Sequence, residues 1–153
     1  MEIVAIKTGD RVQVSKTVAE SDLYLFAEIT GDFSPNHVDE EFMRRSLYKR
    51  RIAHGALVVG FMSSASSSFV AKFAGTKAER LAVSLGYDRI RFIAPVFIGD
   101  TLTVGYTIVA LDESRRRTTA DIVVTNQAGE SVAVAQHILK WVEPLEDQTS
   151  NIC

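Results

Sequence analysis

The chain carries one cysteine in 153 residues, and it is the last residue, Cys153. No intrachain disulfide can form, which fits a reducing compartment. Proline is scarce, at three, so long segments are free to run as uninterrupted helix or strand. An excess of either charge is also missing. The formal net charge is −2, and no global basic field points to nucleic acid. The longest apolar run, residues 55–62, falls far short of the roughly 20 residues that span a bilayer. The opening Met-Glu-Ile-Val-Ala-Ile-Lys is too short and too charged for a secretory signal. These absences set the expectation of a cytoplasmic protein with no membrane or nucleic-acid partner.

Apolar residues make up 46% of the chain, enough for a packed core. The length fits one domain, expected over residues 1–143, with a polar, disordered tail at 144–153. Residues 10–18 set Val12, Val14 and Val18 against Arg11, Gln13 and Lys16, the period of a short half-buried strand. Ser21 is suited to cap a helix over 22–30 that ends at Gly31. Asp39 is suited to cap a second helix over 40–47. The segment from Gly55 to Phe73 has no clean polar face, which predicts a long helix buried nearly all round and ended by Gly75. Its serines and glycine read as small residues that let the helix sit close to a sheet, with Leu57, Phe61, Ser64 and Ser68 on one face.

The second half changes character. Residues 81–98, 101–111, 117–126 and 131–142 are rich in β-branched and aromatic side chains and are separated by turn signals. Leu102, Val104, Tyr106 and Ile108 alternate with Thr101, Thr103, Gly105 and Thr107. Long neighbouring strands with short turns predict an antiparallel, twisted sheet. The fold class is α+β, a sheet wrapped around one long central helix.

Residues 29–39, Ile-Thr-Gly-Asp-Phe-Ser-Pro-Asn-His-Val-Asp, organise the rest. Gly31 permits backbone angles that other residues avoid, and Pro35 stiffens the chain beside Ser34. Such a loop holds Asp32 and His37 at a set separation, and a carboxylate with an imidazole can divide acid and base roles around one water.

The run from Gly31 to His37, followed by Ile52-Ala53-His54-Gly55 at the start of the long helix, resembles the MaoC-like (R)-specific enoyl-CoA hydratases of the hot-dog fold. Ala94-Pro95-Val96-Phe97-Ile98-Gly99-Asp100 extends the likeness. The resemblance implies a cofactor-independent hydro-lyase of acyl-CoA or acyl-carrier-protein thioesters in fatty-acid metabolism, working as a homodimer. It implies Asp32 and His37 as the catalytic pair, Gly55 as the oxyanion-binding residue, and Ser63 as a serine of the substrate site. A helix start independently supports Gly55, because its first N–H groups lack intrahelical partners and favour developing negative charge.

Two positions depart from the family pattern. Ser34 stands where asparagine is usual, which alters support for the loop. Asn36 stands where an apolar residue is usual, which points to a shorter or more polar acyl group. Arg50 and Arg51 lead into the helix and are candidates for the CoA phosphates. A second basic run, Arg115-Arg116-Arg117, could pair with the same phosphates; an ordinary solvated face is the alternative for both runs, and the first is favoured because it leads directly into the helix. His54 reads as an anchor for the helix start and His137 as a sheet residue. The three histidines show no close metal-ligand spacing, so neither a metal nor another cofactor is expected. Two rival functions share the fold. A hot-dog thioesterase is disfavoured because residues 54–73 hold no Asp or Glu, and a non-catalytic acyl-thioester-binding subunit rests on Ser34 and Asn36 alone.

Overall fold

The computed structural model describes residues 6–73 and 81–142. Five strands form one antiparallel sheet: β1 (Arg11–Thr17), β2 (Leu81–Phe92), β3 (Thr101–Asp112), β4 (Arg117–Thr125) and β5 (Ser131–Val142). Their spatial order is β1-β3-β4-β5-β2. The helices are α1 (Glu20–Thr30), α2 (Pro35–Val38), α3 (Glu40–Arg44) and α4 (Gly55–Phe73).

The predicted alternation holds. Leu102, Val104, Tyr106 and Ile108 of β3 are buried, as are Ala120, Ile122 and Val124 of β4 and Ala135, Leu139 and Trp141 of β5. Helix α4 turns Val58, Met62, Ala65 and Phe69 into the same core. Burying a Val, Met or Phe side chain stabilises by about 1.5–3 kcal/mol each, so this stripe fixes the helix against the sheet. Nineteen residues of this composition also match a bilayer in length, but here the apolar side faces strands.

Several expectations need correction. Helix α4 is not buried all round: Ala56, Gly60, Ser63, Ser64 and Ser67 are exposed, and the buried face runs through Val58 and Met62 rather than Leu57 and Phe61. Ser21 is not a cap. Helix α1 starts earlier, because Asp22 reaches back to accept the Ala19 N–H at 2.8 Å. Helix α3 stops at Arg44, where the Ser46 hydroxyl donates to the Met43 carbonyl at 2.7 Å and so satisfies a last-turn acceptor. Strand β2 leaves the ladder at Phe92, since the Ile93 and Ala94 N–H groups both turn to the Val132 carbonyl. Gly75 and the tail at 144–153 lie outside the described residues.

Two register shifts interrupt β2, between Ser84 and Gly86 and between Asp88 and Arg91. Bulges bend and twist a strand. The bent end brings Phe92 against the start of α4, and that contact shapes the site.

Candidate active site

Gly31 takes the left-handed conformation (φ 78°) that closes α1, and its N–H donates to the Ala27 carbonyl at 2.8 Å. The chain therefore turns sharply just before Asp32. The Ser34 hydroxyl and N–H both donate to one Asp32 carboxylate oxygen, at 2.7 and 3.2 Å. Pro35 then opens the single turn of α2 that carries His37. The contacts around His37 fix its protonation.

His37 is buried, and its Nδ1 lies 2.7 Å from the Ile52 carbonyl oxygen. A carbonyl only accepts, so Nδ1 carries the proton and Nε2 of the neutral ring carries the lone pair. The Asn36 side-chain amide donates to that Nε2 at 3.2 Å. Ile52 is itself held from three sides. Its N–H donates to the Asn36 carbonyl at 3.0 Å, it bridges Phe97, and the next N–H, of Ala53, donates to Val96 at 2.7 Å.

His54 completes the cluster. It is 1% exposed, and its Nε2 donates to the Asp32 backbone carbonyl at 3.0 Å. Its ring stacks on His37 with centroids 3.8 Å apart and meets the Phe26 ring at a tilt, centroids 4.7 Å apart. Its remaining nitrogen, Nδ1, is buried and has no partner among the described residues. His54 thus ties the loop of Asp32 to the start of α4, which is the anchoring role its sequence position suggested.

One carboxylate oxygen of Asp32 and one ring nitrogen each of His37 and His54 lie within 4.8 Å of one another. Two hydrogen bonds of about 2.8 Å to a shared water span about 4.5 Å, so the set is the right size to hold one. The expectation that these histidines stand apart was wrong about space, because folding brings residues 37 and 54 into contact. The contacts still describe a hydrogen-bonding constellation more than a coordination site. Three of the four imidazole nitrogens already meet Ile52, Asn36 and Asp32, leaving one nitrogen where a zinc-type site needs several converging ligands.

A cleft of about 400 Å³ opens here, lined by Asn36, His37, Tyr48, Gly55, Ala56 and Phe92 among others. Gly55 begins α4, and a Cβ at this position would sit 2.6 Å from the Phe92 ring. Only glycine lets that ring close over the helix start, with the first amides of α4 left without intrahelical partners.

Both groups of the pair are held in their proton-accepting forms. The Asp32 pKa lies below the usual carboxylate value, chiefly through the Ser34 hydroxyl and then its N–H. The His37 pKa is lowered chiefly by burial, with nearby His54 acting the same way and the Ile52 carbonyl and Asp32 opposing. Near neutral pH the result is a carboxylate beside a neutral imidazole.

The other predicted residues are placed less simply. Ser34 faces Asp32, so its visible work is to hold the carboxylate rather than a substrate. Arg51 is a correction. It is buried and bonds Glu20, Glu40 (2.9 Å) and the Tyr24 hydroxyl (2.9 Å), which commits its guanidinium to bracing α1 and α3. Arg50 is exposed, with its guanidinium 3.9 Å from the centre of the Phe97 ring. Ser63 lies two turns along α4, exposed and outside the lining of the cleft. Phe92, Tyr48 and the Ile52 carbonyl were not anticipated. None had a local signal, since each reaches the site through tertiary packing.

The family model described as a MaoC like domain matches residues 4–132, and the chain belongs to that family. It is 38% identical over 106 residues to an (R)-specific enoyl-CoA hydratase of Rhodospirillum rubrum, spanning 69% of this chain and 68% of the relative. Identity is 33% over 134 residues to a 3-hydroxybutyryl-CoA dehydratase of Methylorubrum extorquens, covering 88% and 79% of the two chains. Among solved structures, an (R)-hydratase from A. caviae involved in PHA biosynthesis superposes with a TM-score of 0.76. That match covers 89% of this chain and 97% of the other, at 25% identity. The antiparallel sheet around α4 is the hot-dog fold that the sequence motifs implied.

Proposed function

We propose that this protein is a hydro-lyase that hydrates a trans-2-enoyl-CoA to an (R)-3-hydroxyacyl-CoA, or runs the reverse dehydration. The observation that carries this reading is the Asp32–His37 pair beside a cleft that contains the start of α4. The thioester carbonyl sits at the Gly55 N–H, which stabilises the negative charge that develops on its oxygen. A water held between Asp32 and His37 Nε2 adds through its oxygen to C3, as its proton passes to the pair. The C2=C3 electrons move towards the thioester oxygen, and the resulting enolate collapses as the pair returns a proton to C2. No proton or electron is left over, and the pair ends as it began.

The test is loss of the enoyl-thioester absorbance when purified protein meets crotonyl-CoA. Asp32→Asn and His37→Ala are each expected to slow that loss by about 10²–10⁴-fold while the fold, read by circular dichroism, survives. Wild-type turnover in both variants would reject the assignment of the pair. Release of free thiol instead of hydration would replace the hydratase reading with a thioesterase one.

A second copy of this chain is the expected partner, joined along β2. The two outer strands differ. Strand β1 carries Arg11, Gln13, Ser15, Lys16 and Thr17, charged and polar residues of the kind that blunt an edge, whereas β2 exposes Leu81, Val83 and Leu85. The small exposed residues of α4 leave room beside it for close packing. Light scattering at the mass of a dimer supports this, and a monomer at micromolar concentration argues against it.

A further inference from the structure

We infer that Asn36 is a positioning residue that sets the proton affinity and tautomer of the catalytic base. This rests on the reading of His37 as that base. Position 36 departs from the apolar residue that the sequence motif leads one to expect, and the geometry shows what the polar side chain does. His37 Nδ1–H is fixed on the Ile52 carbonyl at 2.7 Å, which leaves Nε2 as the only ring atom able to take a proton. The Asn36 amide donates to that atom at 3.2 Å. A donor on the lone pair stabilises the neutral ring and opposes the imidazolium.

The backbone of the same residue contributes to the arrangement. The Asn36 carbonyl accepts the Ile52 N–H at 3.0 Å, while Ile52 accepts from His37. Residues 36, 37 and 52 therefore form a closed clamp, in which Asn36 grips both the ring's acceptor nitrogen and the peptide that holds its donor nitrogen. Asn36 also lines the cleft. One in-plane lone pair serves one strong donor at a time, so the reacting water has to displace this amide to reach the base.

Other groups act on the ring and are controlled for. Asp32, from the loop before α2, raises its proton affinity, and His54, from the turn before α4, lowers it. Neither changes when residue 36 is replaced, so a change in His37 titration reports on the amide.

The experiment follows the imidazole ring nitrogens of the full-length, 15N-labelled protein by NMR from about pH 4 to 8. The wild type is expected to show His37 as the Nδ1–H tautomer. In Asn36→Leu, its proton affinity should rise about threefold to tenfold, the effect of losing one neutral hydrogen bond. Asn36→Asp, which keeps the shape but turns the donor into an acceptor, should raise it further and guards against misfolding of the leucine variant. An inflection that stays in place in both variants overturns the proposal. The acid limb of crotonyl-CoA hydration is measured alongside and should move with the NMR inflection. A limb that stays put while the inflection moves leaves the Asn36–His37 coupling intact and rejects His37 as the base, so the two failures are distinguishable.

Discussion

His37 and His137 are both buried histidines whose proton affinity is lowered, yet their surroundings prepare them for different work. His137 is 0% exposed in the middle of β5. Its Nε2 lies 2.8 Å from the Ser84 hydroxyl and its Nδ1 3.0 Å from the Tyr106 hydroxyl, and Tyr87 stacks on its face at 4.3 Å. Burial pushes its pKa down to about 4. Both nitrogens meet neutral hydroxyls, and among the described residues no carboxylate shares its hydrogen bonds. His37 has one nitrogen on a fixed peptide carbonyl, the other on an amide at the wall of a cleft, and Asp32 within reach. Burial alone makes a histidine structural. A base also needs a lone pair that opens onto substrate and a neighbour that steadies the charge it acquires.

The largest expected effect breaks that contrast on the catalytic side. His37→Ala should lower kcat/KM for crotonyl-CoA by about 10²–10⁴-fold, the usual contribution of a positioned proton acceptor. Next comes the helix start. Gly55→Ala pushes a Cβ into the Phe92 ring, and displacement of the cleft wall should cost about 10–100-fold in kcat/KM. Phe92→Ala in the same chain makes room and should recover most of that loss, which steady-state kinetics on the single and double variants will read.

The structural histidine should respond in stability instead. His137→Leu leaves the Tyr106 hydroxyl buried without its partner, at a cost of about 2–3 kcal/mol, or roughly 5–10 °C in Tm. Turnover per folded molecule should stay within about twofold. Its pH dependence has a definite sign. The folded pKa is depressed, so the unfolded chain takes up the proton first. Stability is fully present above about pH 6.5 and falls as pH drops towards about 4, by a total on the order of 3 kcal/mol. Urea midpoints across that window should fall in the wild type and fall less in His137→Leu. The smallest effect belongs to Arg50→Ala, which should raise KM for the CoA ester a few-fold at low salt and leave kcat unchanged. An unmoved KM would remove Arg50 from substrate binding.

The parts of this molecule that were legible in the sequence are those written in local spacing. Alternation in β3 required no knowledge of its neighbours, and Gly31 announced the end of α1. Asp32 and His37 lie five positions apart on a loop whose glycine and proline limit its shapes. What stayed hidden depends on residues far apart in the chain. Arg51 looked available for phosphate until folding brought Glu20 and Glu40, 31 and 11 residues away, onto its guanidinium. His54 stacks on His37 across 17 positions because α2 and the start of α4 share a wall. Helix α4 shows no clean polar face in sequence, and its small residues do not reveal by composition which side meets the sheet.

The central claim is that one water, held on one side of the substrate by Asp32 and His37, supplies both the hydroxyl and the proton. The most direct measurement is hydration of crotonyl-CoA in deuterated water, followed by the relative configuration at C2 and C3 of the product by NMR. The geometry predicts deuterium at C2 and hydroxyl at C3 added to the same face. Addition to opposite faces would mean that the proton comes from a group across the cleft, and the shared-water account would be wrong.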